Sequence, residues 1–345
     1  MGEFLKNAWY CAALSSEVGR EPLGRLLLGE PVVMYRTEDG TPVAMEDTCP
    51  HRRAPLHKGE LVGDSIQCPY HGIIFDCAGK AEWAQGQDRL PARMALRVYP
   101  FVERHSWMWI WMGDPALADE SLIFDCWSCT DPKWATIKGY MHVKAAALLA
   151  IDNLMDLSHT AFVHRASVGS KDDLNPELVW ERGENWIKGT RVARGLQAAP
   201  HQVIYGANCL IDQTKQMTFT APYNCNVDIF SSEAGKAIGE GQYSEQFLTY
   251  NLITPETDKT FHYFWANTRD FQIDNAEFHA LHQINGEQLL GEDKWVLEET
   301  QLAIDRAPDR EEVDLAADAG GLQARRILKR LIEAEREMQP LPALT

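Results

Sequence analysis

Between residues 49 and 71 the chain reads Cys49-Pro50-His51, then sixteen residues, then Cys68-Pro69-Tyr70-His71. No other feature restricts the fold as much. Two short segments, each carrying a cysteine and a histidine, must be brought to a common centre, which requires two loops side by side at the tips of hairpins. The chemistry that suits this donor set is a cluster of two irons and two sulfides, with thiolates on one iron and neutral imidazoles on the other. Exchanging two thiolates for imidazoles removes negative charge and raises the reduction potential to roughly −150 to +300 mV, against about −400 mV for all-cysteine ferredoxins. Pro50 and Pro69 stiffen the turn after each cysteine, and Gly72 frees the backbone beside His71. Two other readings stay open on these residues. Four Cys/His ligands also suit zinc, although zinc sites more often use Cys-x2-4-Cys and His-x3-5-His pairs, and the residues could be ordinary buried cysteines and surface histidines.

The paired segments resemble the cluster-binding motif of Rieske-type proteins. Whether such a chain is an electron carrier or an enzyme is decided by its remaining residues. At 345 residues there is room for two domains. Asn7 to Cys11 is an apolar, aromatic start. Short candidate strands at Leu26–Leu28 and Val32–Tyr35 are separated by turns at Gly29-Glu30-Pro31, Asp39-Gly40, Gly59, Gly63-Asp64 and Asp76 to Gly79. That rhythm predicts a small antiparallel β domain. Trp107, Trp109 and Trp111 alternate, so they share one face of a strand and are expected to close this domain. Gly113-Asp114-Pro115 then marks the boundary, giving domains of 1–115 and 116–345.

No apolar run is long enough to span a membrane, and Met1 to Leu14 lacks the features of a signal peptide, so the expected location is the cytoplasm. Besides Cys49 and Cys68, the remaining cysteines show no framework spacing and are expected as reduced thiols, including the lone Cys126-x-x-Cys129 pair. A net charge of −17 argues against nucleic acid. It permits steering of a redox partner that carries a basic patch, although solubility explains most of it.

A second constellation lies in Asn153-Leu154-Met155-Asp156-Leu157-Ser158-His159 through His164. At helical spacing Asn153 and Asp156, and Asp156 and His159, are neighbours on one face. His159 and His164 are five apart, about 140° round an ideal helix. If both bind one metal, the helix must widen, distort or end between them. Taken alone, the segment reads as an amphipathic helix with solvent-facing histidines. Behind the first motif it resembles the two-histidine part of the mononuclear iron site of Rieske oxygenases, in which two histidines and one carboxylate leave positions open for dioxygen and substrate.

The later sequence is rich in β-branched and aromatic residues over 186–192, 216–220, 246–253 and 260–268, bounded by turn signals at Pro222, Gly241 and Thr254-Pro255-Glu256-Thr257. Helices are expected over Asn275–Arg306 and Leu322–Arg336, the latter with Ile327, Leu328, Leu331 and Ile332 on one stripe.

The resemblance covers nearly the whole chain and is nearest to the oxygenase subunits that demethylate methoxy-aromatic acids, such as vanillate and dicamba demethylases, and to toluenesulfonate methyl-oxidising enzymes. It implies an α+β fold, an all-β Rieske [2Fe-2S] domain followed by a helix-grip catalytic domain, assembled as a homotrimer. It implies cluster ligands Cys49, His51, Cys68 and His71, and a mononuclear Fe(II) held by His159, His164 and Asp293. On the residues alone, the adjacent Glu292 competes with Asp293. The resemblance further implies that Asp156 hydrogen-bonds His159 and a cluster histidine, His51 or His71, of the next subunit, with Asn153 near the iron. Asn226 and Asn251 are nominated as substrate contacts on pocket strands. Where related demethylases carry a histidine at the position matching Asn251, this chain departs from them. The implied reaction uses O2 to hydroxylate or O-demethylate a small aromatic acid, with ring cis-dihydroxylation or methyl hydroxylation as alternatives and a bare electron carrier as the non-enzymatic rival. No flavin- or nicotinamide-binding signature such as Gly-x-Gly-x-x-Gly is present. Electrons are therefore expected from NAD(P)H through a separate reductase, with or without a ferredoxin.

Overall fold

The computed structural model describes residues 4–164 and 178–338. The chain falls into two compact units, one running to Phe124 and including Thr254–Thr257, the other comprising Asp125–Ile253 and the chain from Asp258 onward.

The first unit is built of short antiparallel strands: β1 (Trp9–Leu14), β2 (Leu23–Leu27), β3 (Glu30–Arg36), β4 (Pro42–Glu46), β5 (Glu60–Val62), β6 (Ser65–Gln67), β7 (Ile74–Phe75), β8 (Ala81–Trp83), β9 (Phe101–Arg104) and β10 (Trp107–Trp111). They form three sheets, ordered β1-β10-β9, β2-β3-β4 and β5-β6-β7-β8. The alternation of tryptophans predicts one buried face for β10. Instead all five residues Trp107–Trp111 are buried, because β10 is the middle strand of its sheet and is covered on both sides. Trp111 meets Trp9 edge-on at 5.6 Å, and the indole N–H groups of Trp109 and Trp111 donate to the carbonyls of Arg104 and Asp114. Between β2 and β3 the turn is Leu28-Gly29, both at positive φ, the two-residue geometry that matches strand twist. Glu30 and Pro31, expected in that turn, open β3.

The second unit contains β11 (Ala135–Val143), α1 (Ala147–Met155), α2 (Thr160–Val163), β12 (Val179–Arg182), β13 (Trp186–Gln197), α3 (Pro200–Ile204), β14 (Leu210–Thr220), β15 (Asn224–Glu233), β16 (Ser244–Thr257), β17 (Thr260–Arg269), α4 (Ala276–Arg306) and α5 (Ala319–Met338). Seven strands make one sheet in the order β11-β17-β16-β15-β14-β13-β12. Thr254 to Thr257, expected as a turn, continue β16, and the chain reverses at Asp258-Lys259. Pro255 is tolerated because its carbonyl, not its missing N–H, is used, accepting from the Leu28 N–H at 2.8 Å.

Period-two projection sorts the sheet's side chains. Trp265 and Arg269 of β17 point toward α4, where Trp265 lies against Gly286 and Arg269 reaches His282. Tyr263 shares their face, as do Asn251 and Phe247 of β16, through the Tyr263–Asn251 hydrogen bond and the Phe247–His282 contact. Helix α4 begins at the Asn275 cap, whose side chain accepts from the Phe278 N–H at 3.0 Å. Helix α5 packs on α1 through Gly320 and Gly321, where a Cβ would collide with Trp180 or Asp152, and Arg325 Nε donates to Asp152 at 2.9 Å. Ile327 and Leu328 are buried there, while Leu331 and Ile332 are half-buried.

Candidate metal centres

The two cysteine–histidine segments fold into the same loop twice. In the first, the Cys49 N–H donates to Ala54 O at 2.9 Å and the Arg53 N–H donates back to Cys49 O at 2.8 Å. In the second, Cys68 N–H donates to Ile73 O at 2.8 Å and Gly72 N–H to Cys68 O at 3.0 Å. The residue four after each cysteine takes positive φ, +61° at Arg53 and +68° at Gly72. Glycine does this without strain; an arginine there gives no signal in the sequence. Beneath the first loop Asp47, 5% exposed, accepts both the backbone and the imidazole N–H of His57. Neither residue belongs to a recognisable spacing, and both escape a sequence reading.

Cys49 and Cys68 are buried in the core of the first unit, while His51 and His71 are exposed, with ring centroids 4.6 Å apart. Burial pushes the Cys49 thiol up to about 11, and the neighbouring Cys68 adds to the shift. A protein without a cation there therefore resists forming two thiolates, and iron would relieve that cost. Thiolates inside and imidazoles on the solvent side fit the donor sets of the two irons of such a cluster. A single zinc fits less well. Among the described residues, the only group of three or more metal-ligating side chains whose donor atoms all lie within 4.8 Å of one another is His159, His164 and Asp293.

That second group depends on how α1 ends. The helix stops at Met155, and Asp156 turns extended at φ −128°, ψ 100°. A 3₁₀ turn over Leu157–His159 leads into α2, with His164 just past its end. Asp156 is thus off the helix and does not share a helical face with Asn153 and His159. Its carboxylate accepts from the Ser158 N–H and hydroxyl at 2.8 and 2.9 Å, and its backbone carbonyl, not its carboxylate, contacts His159 Nδ1 at 2.6 Å. The break before His159 brings together two histidines that an unbroken helix would splay.

From α4, Asp293 is 3% exposed. Its Oδ1 lies 3.1 Å from His164 Nε2 and 3.5 Å from His159 Nε2, and it accepts from Asn153 Nδ2 at 3.1 Å. Glu292, one residue earlier and so about 100° round the helix, meets the other side of His164, with Oε2 2.8 Å from Nδ1. The two acids open to choice on sequence therefore occupy different places. With each Nδ1 directed at an outer acceptor, both Nε2 atoms face the Asp293 carboxylate, and in the neutral form each ring presents a lone pair there. That arrangement suits a cation and fits a two-histidine, one-carboxylate iron site. Burial opposes charge on both partners, yet the histidines hold the Asp293 carboxyl down at about 2, and the Asp293 and Glu292 carboxylates shift His164 upward.

Asn251 is 1% exposed. It donates to Cys225 O at 3.2 Å and accepts from Tyr263 Oη at 2.8 Å. Asn226 pairs across from Tyr250, whereas Asn251 pairs across from Cys225. The two asparagines therefore project from opposite faces of the sheet, and the expectation that both line one pocket fails on strand register. Cys126 and Cys129 are not joined in a disulfide.

Because a carboxylate behind a metal-bound imidazole orients it and raises its basicity, Glu292→Gln is expected to weaken iron binding by about 10- to 100-fold. Chelator competition on the protein with its cluster intact measures this, and an unchanged affinity would show that Glu292 is a bystander.

Residues 8–100 match the family model "Rieske [2Fe-2S] domain", and residues 143–334 match "Vanillate O-demethylase oxygenase C-terminal domain". The chain is 36% identical to the oxygenase component of dicamba O-demethylase from Stenotrophomonas maltophilia, over 96% of this chain and 99% of the relative. It is 34% identical to the vanillate O-demethylase oxygenase subunit of a Pseudomonas species, over 97% and 96%. It is also 34% identical to a putative toluene-4-sulfonate monooxygenase iron-sulfur subunit from Comamonas testosteroni, over 96% and 98%. A crystal structure of dicamba monooxygenase bound to 3,6-dichlorosalicylic acid superposes with a TM-score of 0.89 at 33% identity, covering 97% of this chain and 99% of that one.

Proposed function

We infer the function from family membership: this chain belongs to the Rieske non-haem iron oxygenases whose C-terminal domain is of the vanillate O-demethylase type. It is an oxidoreductase, the oxygenase component of a monooxygenase system, with a Rieske cluster and a mononuclear iron as cofactors. His159, His164 and Asp293 would hold the mononuclear iron, which when bound would supply dioxygen activation with electrons delivered through the cluster. Cys49, His51, Cys68 and His71 hold the cluster. The chain's own residues prepare the iron site: the Asp156 carbonyl and Glu292 fix the Nδ1 tautomers, and Asn153 orients Asp293.

The substrate in this reading is a small aromatic acid bearing a methoxy group. Hydroxylating its methyl carbon gives a hemiacetal that collapses to a phenol and formaldehyde. The observation that carries the reading is the His159–His164–Asp293 group, with His164 and Asp293 buried, on a sheet-and-helix framework superposable on an aromatic O-demethylase. A toluenesulfonate relative at 34% identity supports methyl hydroxylation as the second reading. The test combines the protein with a reductase and offers methoxylated, methylated and sulfonated aromatic acids, scoring formaldehyde and oxygen uptake. Formaldehyde from a methoxy acid is expected; no oxidation of any member would contradict the reading.

Electrons come from NAD(P)H through a reductase, directly or by a ferredoxin, and the active form is a cytoplasmic homotrimer. Two large apolar side chains beside the iron ligands, Phe162 at 67% and Trp295 at 66% exposure, support cover by a second copy. Asp156 would then serve as the electron bridge to His51 or His71 of the next subunit. Asp156→Asn keeps an oxygen to accept from Ser158, so both metal sites should load normally, while cluster reoxidation in a single turnover slows by about 10-fold or more. An unchanged rate removes Asp156 from the path.

A further inference from the structure

On the sheet face that carries Tyr263 and Asn251, four and six residues further along β17, stand Asn267 and Arg269. Asn267 Oδ1 and Arg269 Nε are buried without a hydrogen-bond partner, as is Oε2 of Glu245 on neighbouring β16. Arg269 is 0% exposed. Of its five N–H donors it uses one on His282 Nδ1 at 3.1 Å and one on the Gln272 carbonyl at 3.3 Å, and it stacks 4.8 Å over the Phe278 ring. Since a guanidinium only donates, His282 Nδ1 accepts and that imidazole is neutral. Burial, then the Arg269 charge, accordingly depresses His282 to about 3. Among the described residues no carboxylate pairs with Arg269. Glu245 is engaged by Gln202 at 2.7 Å instead, and Asp270 accepts from Gln246. A buried cation without a counter-charge is costly and is uncommon unless something else neutralises it.

We propose that Arg269 is the receptor for the acid group of the substrate, binding an aromatic carboxylate or sulfonate on the α4-facing side of the sheet that also carries Tyr263 and Asn251. The proposal rests on the reading of this chain as an aromatic-acid oxygenase and adds the residue that selects the acid. His282, which holds the guanidinium, is eleven residues from Asp293 on α4, about 16 Å along the helix axis. A benzene ring with an acid group at one end and an oxidisable methyl or methoxy carbon at the other, plus the contact distances at both ends, is of comparable length. The planar fork of arginine matches the two oxygens of such an anion. Asn267 lies between the two ends and offers a further polar contact. The competing account is an arginine that only ties the β17–α4 turn through Gln272 and Phe278.

Binding separates the two without needing turnover. Protein carrying its cluster and iron, anaerobic and without reductase, is titrated with 4-methoxybenzoate and 4-methylbenzenesulfonate, each beside its neutral amide. The wild type should bind each acid at least about tenfold more tightly than its amide. Arg269→Gln should bring that ratio near one by weakening the acid alone, and Arg269→Lys, which keeps the charge but loses the fork, should fall between. Equal binding of acid and amide by the wild type, or no binding of either, overturns the proposal. So does an acid preference that survives in the variants, or an equal loss for both ligands. If Arg269→Gln does not fold, the lysine variant and the wild-type ratio decide. Failure of the oxygenase reading would be visible separately, as bound acids that are never oxidised when reductase and oxygen are supplied.

Discussion

Asp293→Ala should empty the mononuclear site and abolish oxygen-dependent turnover while leaving the cluster's colour and reduction intact. The Asp293 carboxylate is the only acidic group of the candidate iron-binding triad, 3.1 and 3.5 Å from the two Nε2 atoms. Without it, two neutral imidazoles would face a buried dication with no anion to offset its charge, and a buried charge stripped of its partner is strongly destabilising. Glu292 does not substitute, because its carboxylate is on the far nitrogen of His164. Iron should fall from about three to about two per chain, and the nitric oxide adduct of the ferrous site should vanish from the EPR spectrum. Glu292→Ala should lower iron affinity without eliminating the site. Full iron occupancy in Asp293→Ala would mean that the third ligand is elsewhere.

Cys68→Ser should have an effect of similar size at the other centre. Cys68 is 2% exposed within a core that includes Tyr35, Ile66 and Phe75, and a serine hydroxyl there neither ionises readily nor binds iron as a thiolate does. Cluster colour and EPR signal should disappear, iron should drop to about one per chain, and turnover supported by reductase should fall to background. The loops should nevertheless keep their shape, since their backbone hydrogen bonds and the Asp47–His57 anchor do not require metal. The first unit should therefore melt at lower temperature rather than be unfolded from the outset. A brown, normally reducible Cys68→Ser protein would remove Cys68 from the ligand set.

What could be read from the sequence was the chemistry that is local in the chain. The cysteine–histidine spacing, the His159–His164 pair and the acids near residue 293 name the side chains that the fold gathers, and the β-rich stretches mark the strands of both units. What escaped depended on register, on turn geometry or on distant partners. Pro255 reads as a turn but continues β16 because only its carbonyl is used. Asn226 and Asn251 look equivalent in the sequence, yet pairing with Tyr250 and Cys225 sends them to opposite faces. Arg53 takes a left-handed conformation that its residue type does not advertise. Asp156 looks helical by spacing, but it is extended and its carboxylate accepts from the Ser158 N–H, capping the 3₁₀ turn that follows α1. Glu292 and Asp293 are indistinguishable as letters, and only their angular separation on α4 gives them different partners.

Two iron centres that act together in one reaction must leave their mark on a single turnover. Protein isolated anaerobically and reduced at both centres is mixed with oxygenated buffer containing a methoxylated aromatic acid, and cluster colour and formaldehyde are followed together. Cluster reoxidation in step with formaldehyde release, without further reductase, is the predicted result. Reoxidation with no product, at the same rate whether or not His159, His164 and Asp293 hold iron, would contradict it and leave only an electron carrier.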